Sequence, residues 1–140
     1  MSLVIDSSIT LAWYFEDEAG EASDAVLRRV VMEGAVAPPL WRFEVANGLQ
    51  MAVRRRRIDK AYRNRTLVDL AGLEIAIDPE SDAYAWSASV QLSERHRLTI
   101  YDAAYLELAQ RRRLQLATLD AALARAARAE LVSVVGVEST

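Results

Sequence analysis

At 140 residues the chain fits one domain, expected over residues 1–140, and at 52% apolar composition it can bury a core of its own. The absence of cysteine excludes disulfides, thiolate zinc sites, iron–sulfur clusters and thiol catalysis. The net charge is -3, but of the 17 basic residues only Lys60 is a lysine, and the arginines gather in two blocks, Arg54-Arg55-Arg56-Arg57 and Arg111-Arg112-Arg113. Such blocks suit bidentate contact with phosphate or carboxylate, and they equally suit a solvated helix end.

The opening run Ser2-Leu3-Val4-Ile5-Asp6 reads as a short buried strand ending on an acid. It is too short for a secretory leader, and no apolar run reaches the roughly 18 residues that a membrane span needs. The expectation is a cytoplasmic protein with no membrane contact. A helix should follow over residues 8–16, capped by Ser7 or Ser8, and a second over residues 21–32, stopped by Gly34. Ala35-Val36-Ala37 reads as a second strand, ended by Pro38-Pro39, which opens a long helix to about Arg57. Asp59 starts another helix, which Gly72 stops, and residues 73–77 form a third strand. A helix is then expected over residues 79–97 with Asp78 as its cap, and Thr99 caps the next, which ends in the second arginine block. Residues 114–118 read as the fourth strand, Asp120 caps a short helix to Arg128, and residues 132–135 form the fifth strand.

Short apolar strands alternating with helices indicate an α/β fold, a parallel sheet of about five strands covered by helices on both faces. In such folds ligands bind outside the carboxyl ends of the strands. Asp6 ends the first strand and Asp120 follows the fourth, although either acid alone also reads as a helix cap. Asp102, in Thr99-Ile100-Tyr101-Asp102, reads as a capping box; a first-turn carboxylate there would also stay ionised, as a metal ligand must. Glu44 is the most telling acid. Its helical neighbours Leu40, Trp41 and Gly48 are apolar, and a carboxylate buried on that stripe needs a metal ion or an arginine to offset its desolvation. Gly48 weakens its helix by about 1 kcal/mol relative to alanine, which suggests a close approach by another element. Four carboxylates with no cysteine and no nearby histidine make an all-oxygen site suited to Mg²⁺ or Mn²⁺, and so to phosphodiester chemistry. The one histidine, His96, reads as a solvated surface residue.

Four segments carry a family likeness: Val4-Ile5-Asp6-Ser7-Ser8, Glu44-Val45-Ala46-Asn47-Gly48-Leu49, Tyr101-Asp102-Ala103-Ala104-Tyr105-Leu106-Glu107-Leu108-Ala109, and Ala117-Thr118-Leu119-Asp120. In this order and at this spacing they resemble the PIN domain and, within it, the VapC toxins of bacterial toxin–antitoxin pairs. The resemblance covers nearly the whole chain and implies a PIN-like three-layer fold. It implies that Asp6, Glu44, Asp102 and Asp120 are catalytic and hold Mg²⁺ or Mn²⁺, with Ser7, Thr118 and Asn47 orienting carboxylates and waters behind them. It implies a metal-dependent endoribonuclease toxin, leaving a 5′-phosphate and a 3′-hydroxyl, that forms a homodimer and is neutralised by a VapB-type antitoxin. The alternative of a different class is a non-catalytic PIN-fold module that binds RNA or protein. A receiver domain would need a lysine near the last strand, and a haloacid phosphatase would need an acid where Ser8 stands. No Gly-Lys-Ser/Thr segment exists for a P-loop. Arg54, Arg55, Arg56 and Arg57 are candidate contacts for RNA or an acidic partner. In the first helix Ile9, Ala12 and Trp13 can face the core while Leu11, Tyr14 and Phe15 point elsewhere, so an antitoxin helix lying in a groove there would use Trp13 and Phe15 as anchors.

Overall fold

The computed structural model describes residues 3–137, so Ser2, expected at the start of the first strand, lies outside the described residues. The strands are β1 (Leu3–Ile5), β2 (Ala35–Ala37), β3 (Ile75–Ile77), β4 (Gln115–Ala117) and β5 (Val134–Val135). They form one sheet in the order β3-β2-β1-β4-β5, with every pairing parallel. Leu3, Val4 and Ile5 are each 0% exposed, because β1 is the middle strand and is covered on both faces. That is why its sequence is an unbroken apolar run rather than an alternating one. The helices are α1 (Ser7–Ala12), α2 (Glu21–Glu33), α3 (Leu40–Arg54), α4 (Lys60–Ala71), α5 (Ala88–His96), α6 (Ile100–Arg112) and α7 (Ala121–Ala129). The parallel α/β architecture expected from the sequence is therefore the one observed.

The order of the strands fixes where a site can form. From β1 the chain builds outward through β2 to β3, then returns to the other side of β1 with β4 and β5. The crevice at that reversal, outside the carboxyl ends of β1 and β4, is where open α/β sheets bind ligands. Ile5 stands opposite Ala117, and the Asp6 N–H donates to the Ala117 carbonyl at 3.2 Å. Asp6 and Thr118 thus leave the sheet side by side.

Several boundaries differ from the sequence reading. The cap of α1 is Asp6, not Ser7 or Ser8: its extended backbone (φ -100°, ψ 177°) ends the strand while its side chain accepts from the Ile9 N–H at 3.0 Å. The helix closes at Ala12 instead of running to Glu16, and Phe15, expected to point away from the core, turns into it at 5% exposure. The helix expected over residues 79–97 is broken into a 3-10 turn, Ser81–Tyr84, and α5. Asp78 does not cap a long helix there. It is 3% exposed, and its carboxylate accepts from Ser81 Oγ and from Arg111, each at 2.7 Å, which draws the backbone into the tight turn. α3 ends at Arg54, not Arg57, because Arg56 takes a left-handed φ of 59° and the chain folds back. β3, β4 and β5 are each shorter than the apolar runs that announce them. The close approach expected at Gly48 is present: a Cβ there would stand 2.5 Å from Leu11 Cδ1, so the glycine lets α1 lie against α3.

Candidate active site

Asp6 is the most enclosed of the four acids, at 3% exposure. Its Oδ1 accepts from the Ile9 N–H and from Ser8 Oγ at 2.7 Å, and its Oδ2 accepts from Thr118 Oγ1. Burial pushes its carboxyl up to about 6; the three hydrogen bonds pull the other way, and the charge of Asp102 adds to the rise. The buried Thr118 hydroxyl also accepts from the Asp120 N–H at 3.0 Å, so one side chain joins the ends of β1 and β4 to the start of α7. Asp120 caps α7, as expected, by accepting from the Leu123 N–H at 2.9 Å.

Asp102 lies in the first turn of α6, where its N–H donates to Thr99 Oγ1 at 3.1 Å. Its carboxyl is raised above the ordinary aspartate range, first by burial and then by the charges of Asp120 and Glu44. Glu44 is half-buried on α3, and among the described residues neither an arginine nor a lysine forms an ion pair with it. Two hydroxyls hold it instead: Tyr105 Oη donates to Glu44 Oε1 at 2.6 Å and Ser7 Oγ donates to the same oxygen at 3.3 Å. Burial, followed by this contact with Glu44, pushes the Tyr105 phenol far above its usual range, so it remains a donor.

The fold therefore brings Asp102 within electrostatic reach of each of the other three acids, Asp6, Glu44 and Asp120. None of the four takes part in an ion pair among the described residues. Two of them cap helices and a third sits in a first turn, so three helix N-termini lend positive potential to the cluster. Among the described residues no three acids stand close enough to form a ready-made cage. An all-oxygen set of mutually repelling carboxylates fits Mg²⁺ or Mn²⁺ nonetheless, since Mg²⁺ takes one or two carboxylates and fills its octahedron with waters and substrate phosphate.

Ser7 and Thr118 touch the acids as expected, but Asn47 is exposed on α3 and makes no hydrogen bond to them among the described residues. Two contributors escaped the sequence reading. Ser8 donates to Asp6 and accepts from the Leu119 N–H at 2.9 Å, so it ties α1 to the loop after β4. Tyr105 follows Asp102 by three residues on α6, the helical spacing that puts both on one face.

The arginine blocks divide. Arg57 pairs with Asp17 at 2.8 Å and Glu18 at 3.0 Å and lies 4.4 Å over the Phe15 ring, whereas Arg54, Arg55 and Arg56 are exposed. Arg111 is internal: it binds Glu107 and Asp78, each at 2.7 Å, and stacks on Tyr84. His96 is not a solvated surface residue; its Nε2 is 2.7 Å from Glu130 and its side chain is 15% exposed. A cleft of about 730 Å³, lined by Tyr14, Phe15, Arg57, Ile58, Tyr62 and Arg65 among others, contains none of the four acids. Trp13 is half-buried, with Nε1 donating to the Ser23 carbonyl. No helix among the described residues is long and apolar enough to cross a membrane.

Comparison with known proteins places the fold in a family. The family model for the PIN domain matches residues 3–129. The chain belongs to the PIN-domain family. It is 31% identical over 124 residues to Ribonuclease VapC3 of Pyrobaculum aerophilum, a match covering 89% of this chain and 93% of that protein. The crystal structure of PAE2754 from the same organism superposes with a TM-score of 0.67 at 24% identity, covering 90% of this chain and 86% of that one. The crystal structure of FitAcB from Neisseria gonorrhoeae gives 0.64 at 17% identity, covering 96% of both chains. These two likenesses concern the fold.

Proposed function

We propose that this PIN domain is a metal-dependent endoribonuclease toxin that cleaves RNA phosphodiester bonds and is neutralised by a cognate VapB-type antitoxin. The observation that carries the reading is Asp6 at the sheet's switch point, held by hydroxyls and a backbone N–H, with Asp102 in electrostatic reach of Asp6, Glu44 and Asp120 and none of the four in an ion pair among the described residues. The relative named a ribonuclease supports RNA as the substrate.

Asp6, Glu44, Asp102 and Asp120 would hold Mg²⁺ or Mn²⁺, which when bound supplies Lewis acidity toward water and the scissile phosphate. The protein's own part is positioning. Ser8 and Thr118 hold Asp6 from both oxygens, Thr118 sets the start of α7 and with it Asp120, and Ser7 and Tyr105 hold Glu44. Exposed Arg54, Arg55 and Arg56 at the end of α3 supply cations for the RNA backbone or for an acidic partner. The antitoxin is assigned to the cleft beside Phe15, with Arg57 on its wall; Trp13 is not part of that lining, its indole being turned to the Ser23 carbonyl.

The test is cleavage of total RNA by the purified chain. Cleavage should require Mg²⁺ or Mn²⁺, stop on EDTA addition and leave a 5′-phosphate and a 3′-hydroxyl. Asp6→Asn and Asp102→Asn should each abolish it while the circular dichroism spectrum is unchanged. RNA binding without cleavage under any metal would replace this reading with that of a non-catalytic module. Expressed alone, the chain should arrest its host, and co-expressed antitoxin should restore growth. Because Phe15 packs inside, truncating Trp13 and Phe15 would perturb the fold as well; Tyr62→Ala and Arg65→Ala on the cleft wall are the cleaner probes of rescue.

A further inference from the structure

Tyr105 is 0% exposed, and its ring is among the largest fully buried side chains in the protein. A phenol in a core needs an acceptor, and a phenylalanine of the same shape would need none. The acceptor here is neither a backbone carbonyl nor a water-facing group. It is Glu44 Oε1, reached at 2.6 Å from α6 to α3, across 61 residues of sequence. Ser7 Oγ converges on the same oxygen from α1. No described donor reaches Oε2, and no buried side-chain oxygen among the described residues lacks a partner, so Oε2 is open to solvent. One oxygen of the carboxylate is thus tied inward by two hydroxyls and the other is presented outward.

We propose that Tyr105 is the positioning residue of Glu44: with Ser7 it saturates Oε1, fixes the plane of the carboxylate, and leaves Oε2 as the oxygen offered to the divalent cation. This rests on the metal-dependent reading above. The arrangement answers the difficulty that Glu44 raises on a mostly apolar helix face. Its charge is compensated by hydroxyl dipoles, which hold a carboxylate without competing for the cation as an arginine would. Partners that orient a metal's ligands in this way are commonly worth about 10–100-fold in metal affinity.

The experiment uses the full chain, free of RNA, titrated with Mn²⁺ and followed by the electron paramagnetic resonance signal of the free ion. Tyr105→Phe keeps the ring and removes only the hydroxyl. It should melt close to the wild type while its Mn²⁺ affinity falls about 10–100-fold, and its RNA cleavage should recover as the metal concentration is raised. In a Glu44→Gln background the same substitution should weaken Mn²⁺ binding no further. A purely structural tyrosine would give Tyr105→Phe wild-type Mn²⁺ affinity, or a full-sized loss in the Glu44→Gln background, and either result overturns the proposal. If Tyr105→Phe does not fold, Ser7→Ala removes the second donor to Oε1; unchanged affinity in that variant overturns the proposal equally. A wild-type chain that binds no Mn²⁺ overturns the metal reading itself, and this inference with it.

Discussion

Asp6 is held in conflict. It is buried and crowded by another acid, yet three donors are aimed at it. Because its folded carboxyl is pushed up to about 6, the protonated form stabilises the metal-free fold. That contribution is fully present below the ordinary aspartate range and is lost as pH rises through about 6, at a scale of about 3 kcal/mol. Asp102, raised in the same direction, adds to it. In EDTA, therefore, the melting temperature should fall between about pH 4 and about pH 6.5. Asp6→Asn, which carries no charge, should flatten that fall, and at the higher pH it should melt above the wild type. A wild-type melting curve that stays level across this interval would contradict the electrostatic account. At this scale the sequence was half legible. Asp6, Asp102 and Asp120 each also read as an ordinary helix cap, so the acids stood out as a set, with Glu44 on its apolar stripe the one that a cap does not explain. Tyr105 did not, because a tyrosine within Ala103-Ala104-Tyr105-Leu106 is indistinguishable from core packing until its hydroxyl is seen to end on Glu44.

Helices carry these residues, so their seating decides the geometry of the site. Gly48 admits Leu11 of α1 where a Cβ would stand 2.5 Å from its methyl. Gly48→Ala forces that methyl, the far end of a half-buried side chain, to shift, and the better helix propensity of alanine offsets part of the cost, so the net loss should stay below about 1 kcal/mol. In a Leu11→Ala background the same change should be neutral or stabilising, since the room it needs is then available; chemical denaturation of the four proteins measures this coupling. A second seat is made by charge. Arg111 links α6 to the end of β3 through Glu107 and Asp78, both nearly fully buried. Arg111→Met leaves the buried Glu107 carboxylate without its cation and Asp78 with only the more distant Arg112 at 3.7 Å, and should cost about 3 kcal/mol, enough to lower the denaturation midpoint sharply. This pairing also explains why residues 79–97 misled the sequence reading. Their composition suits one helix, and what breaks it is a buried aspartate whose partner lies 33 residues further on. The succession of strands and helices along the chain, in contrast, followed from the alternation of short apolar runs with helical segments, which depends on local pattern alone; the order of the strands within the sheet did not.

For the whole molecule, symmetric pairing is the commonest assembly of so small a domain, and we expect a homodimer. Sedimentation at micromolar concentration, without antitoxin, should give twice the chain mass of 15.6 kDa; a monomer mass would refute it. Replacing the exposed Arg54, Arg55 and Arg56 with serine should weaken RNA binding and flatten its dependence on salt, while Arg57, already paired with Asp17 and Glu18, should matter less. The salt slope of binding, measured for each variant, separates a nucleic-acid contact from a solvated helix end.

The position of β1 has a consequence for how the protein comes into being. Of the five described strands, the one made earliest ends up in the middle, and its neighbour β4 spans Gln115–Ala117. Asp6 meets the hydroxyl of Thr118 only after 112 further residues have been made. Throughout most of its synthesis the chain holds the first two acids without the last, and the central strand without half its sheet. Contacts so distant in sequence form late. The proposed nuclease thus stays without its last acid, and without half its sheet, until the segment from β4 to Asp120 has been made. Ribosome-bound chains stalled at residue 110 should leave RNA intact and remain open to protease around β1, and both properties should reverse in the released full-length protein.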